Sequence, residues 1–320
     1  MSKVIKRFRQ SKLSVIILVT ILVVIFFGLT TNGFLSGNNL RSIMISMCLP
    51  GMIAVGISML LICGEIDLAA GYEACIGGIV CALLIQAGVS WPVALLLTIV
   101  AGCIMGGILA ILVNKVGLFG FISSMAMISV YNGLSMILTK AQNISIDTKH
   151  AAFFKLGAGT VWIFPVPFII MIVMMVVYGL ILYKTQFGRS IYMTGGNRAA
   201  ARLCGVNRKK ITSILYINNA AISAFAGAIV AARMHNASPT ACTGGSIDAI
   251  TAAVLGGVAF RGGAGNMGAC FVGIALLTFF NSGLTASGLQ SYWQIVVQGL
   301  LLVAALIIDY FNDKARQKMF

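Results

Sequence analysis

Acidic side chains are almost missing from this chain. Seven Asp and Glu stand against 22 Lys and Arg in 320 residues. Only 9% of the residues are charged, where a soluble domain carries about a quarter. That shortage excludes an ordinary soluble globular protein. Histidine occurs only as His150 and His235, in outer loops far apart in sequence, which argues against a metal site. The eight cysteines contain no CxxC pair. Cys48, Cys63, Cys75, Cys81, Cys103 and Cys270 lie in or beside apolar runs and read as small packing residues. Gly-Lys never occurs, so there is no Walker A loop, and any ATP that powers the protein is bound by another chain. No carboxylate–histidine cluster suited to catalysis is found, so the chain is expected not to be an enzyme.

What the chain has in quantity is apolar length. Hydrophobic residues make up 59%, and the mean hydropathy is +1.01. Runs of about twenty apolar residues recur, which is the signal of transmembrane helices. Ten spans are expected, near 13–30, 43–63, 72–89, 93–113, 121–138, 162–183, 213–233, 247–260, 268–285 and 292–309. The eighth is the shortest. The fold class is therefore an all-α polytopic membrane protein, one transmembrane domain over residues 1–320. An even number of spans puts both termini on one side. With that arrangement seventeen Lys and Arg fall on the inner side and five on the outer, so both termini are expected inside. The net charge of +15 follows this pattern and does not point to nucleic acid. The N-terminal basic segment and apolar run resemble a signal peptide, but 31–34 offers no small-x-small cleavage site, and an uncleaved first span is the expectation.

The basic residues concentrate at 184–212, an island holding Lys184, Arg189, Arg198, Arg202, Arg208, Lys209 and Lys210 and no acid. Within it Thr194, Gly195, Gly196, Asn197, Arg198, Ala199, Ala200 and Ala201, followed by Gly205, read as a short capped helix. Gly and Asn supply the start, the alanines the propensity, and Gly205 the stop. An ordered helix on the inner face points to docking, hence to a transporter driven by a separate motor protein.

Each of the few acids is informative. Asp309 and Asp313 flank the end of the last span, and Asp147 lies in an outer loop. Glu65, Asp67, Glu73 and Asp248 lie near apolar segments. An ionisable group at membrane depth costs about 2.5–3.5 kcal/mol on insertion scales, so it normally faces a cavity or a partner. The plainer reading of Asp67 and Asp248 is helix capping. Gly64-Glu65-Ile66-Asp67 echoes Gly245-Ser246-Ile247-Asp248 five spans later, on the opposite side, which raises an inverted repeat with broken helices. Asn132, Asn218, Asn219 and Gln294 are polar residues inside spans, either gluing helices or lining a path. The candidate pathway set is Glu65, Asp67, Asn132, Asn218, Asn219 and Asp248. Gly102 and Gly106 form a GxxxG packing motif. The run 263–268 matches GxGxxG, but no acid follows until Asp309; its glycines read as a tight inner turn passing close to neighbouring helices. Asn143 and Asn236 match a glycosylation pattern that is common by chance.

Gly64-Glu65-Ile66-Asp67-Leu68-Ala69-Ala70-Gly71 resembles the G-G-I-D-L-S-V-G segment of ribose-type ABC transporter permeases. Phe187-Gly188-Arg189-Ser190, then Gly195-Gly196-Asn197-Arg198-Ala199-Ala200 and Gly205-Val206, resemble that family's cytoplasmic coupling loop. Pro239-Thr240, Asp248-Ala249-Ile250, Val254-Leu255-Gly256-Gly257, Gly262-Gly263-x-Gly265 and Ser291-Tyr292-Trp293-Gln294 are similar to the segments that follow, in order. Glu65 stands where the family usually has Gly, and Ser246 where it often has Glu. The resemblance implies a multi-pass permease subunit of the bacterial inner membrane with a type II-like importer fold. It implies a second permease subunit, identical or homologous, and a periplasmic or lipid-anchored sugar-binding protein. It also implies a cytoplasmic ATPase whose two nucleotide-binding domains hold ATP and Mg and dock on 194–205. The competing readings are an ion-coupled secondary transporter using Glu65, Asp67 or Asp248, and a related permease for nucleosides or branched-chain amino acids.

Overall fold

The computed structural model describes residues 12–147, 150–290, 292–297, 299, 300, 303 and 307. Helices dominate it: α1 Lys12–Thr30, α2 Gly37–Cys63, α3 Ala70–Gln86, α4 Trp91–Ile111, α5 Gly120–Thr139, α6 Ala151–Ala158, α7 Val166–Lys184, α8 Gln186–Gly196, α9 Arg198–Leu203, α10 Arg208–Met234, α11 Gly245–Leu255 and α12 Met267–Ala286. The only strands among the described residues are two-residue pairs. β1 Ile144–Ser145 pairs with β4 Asn236–Ala237, and β2 Thr160–Val161 with β3 Phe164–Pro165. Six segments are long and apolar enough to cross a membrane: α2, α4 with its π-helical extension to Val116, α5, α7, α10 and α12. The tenth expected span, 292–309, lies partly outside the described residues; 292–297, 299 and 300 are helical.

The helices begin and end where local chemistry dictates. Ser36, Asn207 and Asn266 accept hydrogen bonds from backbone amides in the first turns of α2, α10 and α12, satisfying donors that a helix start leaves open. Gly64, at φ 79°, closes α2 in a left-handed conformation that few other residues adopt. α2 starts at Gly37, six residues earlier than periodicity suggested, because Ser36 is the cap.

α2 and α10, 27 residues each, form the buried centre. At 1.5 Å per residue each is about 40 Å long. α4 packs on α10 through the GxxxG pair: a Cβ on Gly102 would stand 2.7 Å from the Ala220 carbonyl oxygen, and Gly106 lies directly against the Tyr216 carbonyl. Small residues thus set how closely these backbones approach. α1, α4, α5 and α7 turn apolar side chains outward, such as Leu29, Ile104, Ile137 and Val176.

The expected eighth span, 247–260, is a half-length helix. α11 has 11 residues, about 16 Å, too short to cross alone. It starts beside Leu49 and Ile53, midway along α2. α3 begins at the same level, where the Gly71 amide donates to Ser246 Oγ at 2.6 Å. From that meeting point α3 runs to the end where the Gln86 amide reaches the Ser145 carbonyl. α11 runs to the other end, where the Gly263 amide donates to the Ile62 carbonyl at 2.8 Å. Two chain segments therefore re-enter the bundle, 64–69 from the basic end and 235–244 from the opposite end.

Candidate coupling loop and translocation path

The basic island is two helices rather than one. Thr185 caps α8, its Oγ1 accepting from the Gly188 amide at 3.0 Å. Asn197 then breaks the chain at φ −155° and caps α9, its Oδ1 accepting from the amides of Ala199 and Ala200, each at 3.0 Å. Gly205, at φ +78°, ends α9, with the Val206 amide returning to the Ala201 carbonyl. Asn197 and Gly205 thus act as expected. Gly195 and Gly196 instead belong to the last turn of α8.

Those two glycines are contact points. Gly195 lies against the Ile62 carbonyl and within 2.7 Å, from its Cβ position, of the Gly263 nitrogen. A Cβ on Gly262, at φ +92°, would stand 3.0 Å from both the Gly195 carbonyl and the Gly64 nitrogen. Three loops therefore cross backbone on backbone, at 62–64, 195–196 and 262–263. Tyr192 adds a hydrogen bond to the Gly265 carbonyl at 2.6 Å. The GxGxxG run is the tight turn its glycines suggested.

Charge ties the same place together. Glu65, only 6% exposed, takes Arg208 Nη2 at 2.6 Å and Arg198 Nη2 at 3.4 Å, and the Tyr216 hydroxyl lies 3.4 Å from its other oxygen. Arg198 also reaches the Gly64 carbonyl at 3.2 Å. Glu65 is therefore anchored to the basic helices. Beyond it, a cavity of about 440 Å3 is lined by Glu65, Asn114, Lys115, Arg198, Arg208 and Lys209. The outer side of α9 presents Ala199, Ala200 and Arg202, and Leu203 is 90% exposed, an apolar side chain with no cover within the chain.

Deeper in, Asp67 is fully buried. Its Oδ1 accepts from the Ala69 amide at 2.8 Å, just ahead of α3, and its Oδ2 accepts from Asn219 Nδ2 at 2.9 Å. The capping reading of Asp67 accounts for one oxygen, and a bridge to the middle of α10 accounts for the other. Asn218 accepts from the Tyr178 hydroxyl at 2.6 Å. Asn132 is half-buried on α5. Asp248 sits in the first turn of α11 and lines a cavity at the opposite end of the bundle.

Glu73 was visible as one of the scarce acids, but position alone gave it no role. It lies in the first turn of α3, fully buried, and both carboxyl oxygens lack a hydrogen-bond partner among the described residues. Asn219 Oδ1, Ser223 Oγ and Thr251 Oγ1 are likewise buried without partners there. Buried polar atoms are normally paired, so each of these calls for water or another polar group. Among the described residues no three His, Cys, Asp or Glu side chains are grouped to hold a metal. All eight cysteines are free thiols.

Residues 39–306 match the family described as branched-chain amino acid transport system / permease component. The ribose import permease of Bacillus subtilis (strain 168) is 32% identical over 288 residues, covering 90% of this chain and 89% of the relative. The ribose import permease of Escherichia coli (strain K12) is 32% identical over 296 residues, 92% of each. The L-arabinose transport system permease of Escherichia coli (strain K12) is 28% identical over 279 residues, 87% of this chain and 84% of the relative. No solved structure matches the chain. With six apolar helices and a match over most of its length, this multi-pass membrane protein belongs to the family of branched-chain amino acid transport system permease components.

Proposed function

We propose that the chain is the transmembrane permease subunit of an ABC importer that moves a monosaccharide, ribose-like in class, across the bacterial inner membrane. The observation that carries this is the 32% identity to ribose import permeases over about nine-tenths of both chains. The two capped basic helices at 186–203 support it as the place where a separate motor docks. In this reading the chain crosses the membrane ten times with both termini inside. The 64–71 and 245–248 segments are equivalent parts of an inverted repeat, their half-helices meeting at the bilayer centre. A cytoplasmic ATPase with two nucleotide-binding domains holds ATP and Mg and seats on 194–205. A periplasmic or lipid-anchored sugar-binding protein delivers solute, and a second permease subunit, identical or homologous, completes the pore. The chain performs no covalent chemistry.

The mechanism follows from the contacts. Closure of the ATPase moves α8 and α9, and the glycine crossing and the Glu65 ion pairs carry that movement to 64–69. Asp67, on that segment, is bound deeper in the bundle to Asn219 of α10. Rocking there exchanges outward-open for inward-open states, biased by which state the ATPase binds.

The test is co-purification from native membranes. A tandem-domain ATPase that accompanies the parent chain but is lost from Gly196→Trp and Ala200→Glu supports the reading. A chain that purifies alone and moves solute under an ion gradient overturns it in favour of a secondary transporter.

A further inference from the structure

At the end of the bundle opposite the basic loop lies a cavity of about 600 Å3. Its polar walls include Ser46 on α2, Arg233 on α10, Asp248 on α11, Thr278 and Asn281 on α12, and Gln294 beyond it. The floor reaches Pro50, the fourteenth residue of α2. That is about 20 Å below the helix start. The cavity therefore descends to the level where α11 begins. Arg233 and Gln294 stand toward the mouth, while the Asp248 carboxylate and the Ser46 and Thr278 hydroxyls lie deeper, where each would be costly against lipid, so they imply a water-filled space with a function.

Pro50 sharpens the case. It has no amide proton, so the Ser46 carbonyl one turn earlier has no helical partner. Both residues line the cavity. Asn39 and Ser282 meet across it at 3.4 Å, and Gln294 Nε2 reaches Thr285 Oγ1 at 3.1 Å near its mouth. Hydroxyls, amides and apolar Leu49, Val230 and Leu277 all contribute to the walls.

We infer that this cavity is a monosaccharide acceptor site on the permease itself, which holds the sugar after its delivery and before the bundle reverses. The single positive and single negative side chain leave the walls neutral overall, which suits an uncharged ligand. Hydroxyls and amides outnumber the charged groups, which suits vicinal hydroxyls, each able to donate and accept. An α-amino acid would use the charge pair but leave most of the amides and hydroxyls unpaired, a costly mismatch. The inference rests on the sugar-importer reading above.

The experiment uses the full chain with its co-purifying ATPase in lipid nanodiscs, and saturation-transfer-difference NMR with D-ribose as the probe and L-leucine as the comparison. Saturable ribose transfer is expected, lost in Asn281→Leu and weakened about tenfold in the near-isosteric Thr278→Val, as for one buried hydrogen bond. ATPase co-purification and melting temperature are recorded for each variant, so a misfolded variant is recognised and the other decides. If ribose transfer is absent while the ATPase co-purifies, the acceptor site is wrong and the importer reading survives. Transfer that persists unchanged in both variants places the sugar elsewhere and overturns the site. Transfer from leucine instead of ribose overturns the polyol assignment.

Discussion

Glu65 Oε1 and Arg208 Nη2 stand 2.6 Å apart, joining the segment after α2 to the first residue of α10. The two residues are 143 positions apart in sequence. The carboxylate is buried and the guanidinium is 42% exposed, and Arg198 approaches the same oxygen while 54% exposed. Solvent screening at the arginines keeps each pair to about 1 kcal/mol or less of stability. In the proposed mechanism the pairing matters more as a linkage than as glue.

That leads to a charge-reversal prediction. Glu65→Arg and Arg208→Glu are each expected to lower uptake of labelled ribose about tenfold or more, with melting temperature little changed. The double reversal is expected to recover part of the loss. Uptake in cells lacking the parent chain measures it; a double variant no better than either single would show the linkage to be unimportant.

The two neighbouring glycines at the end of α8 are expected to differ. A Cβ on Gly195 meets the Ile62 carbonyl and the Gly263 nitrogen, whereas the nearest atom to a Cβ on Gly196 is Gly263 Cα at 3.9 Å. Gly195→Ala should cost about 1–3 kcal/mol as an overpacked contact. Gly196→Ala should stay within about 0.5 kcal/mol of the parent. Thermal unfolding of the purified complex reads both, and equal shifts would contradict the crossing.

Asn197→Ala removes the acceptor for two α9 amides. Loss of such a cap costs about 0.5–2 kcal/mol, here confined to a six-residue helix. Hydrogen exchange of the α9 amides is therefore expected to accelerate about tenfold or more without a change in global melting, and ATPase co-purification should weaken with it. Unchanged α9 exchange would rule out the cap.

Asp67→Asn replaces a carboxylate that accepts from both the Ala69 amide and Asn219. Uptake is expected to fall about tenfold, the effect of about 1.4 kcal/mol. Asp309→Asn, near the end of the last apolar run, should change uptake less than about twofold. Equal and mild effects would leave Asp67 as a cap alone.

The sequence displayed the helices more clearly than their depth. Apolar runs located the six long apolar helices, though α2 begins six residues before the expected edge, because lipid demands length. They did not distinguish α11 from a full span, since 245–260 is apolar whether its start is at the surface or midway along α2. Asn197 and Gly205 were readable because capping is local chemistry. The ion pairs of Glu65 were not legible, because its partners Arg198 and Arg208 are 133 and 143 residues away and no local pattern pairs them. α8, α6 and the two-residue strand pairs were missed for a related reason: short elements depend on the bundle they rest on. The meeting of Gly71 with Ser246 was hinted by the echo of two four-residue segments, but its atoms were not.

The glycine crossing also has a mechanical meaning. Between Ile62, Gly195 and Gly263 the contacts are backbone to backbone, with no side-chain torsion in the line. A longer side chain at such a junction would turn about its bonds and take up the first ångström of any push. Here there is no slack of that kind, so in the proposed mechanism a push entering at α8 would meet no yielding side chain before the end of α2, as through a gear cut without backlash.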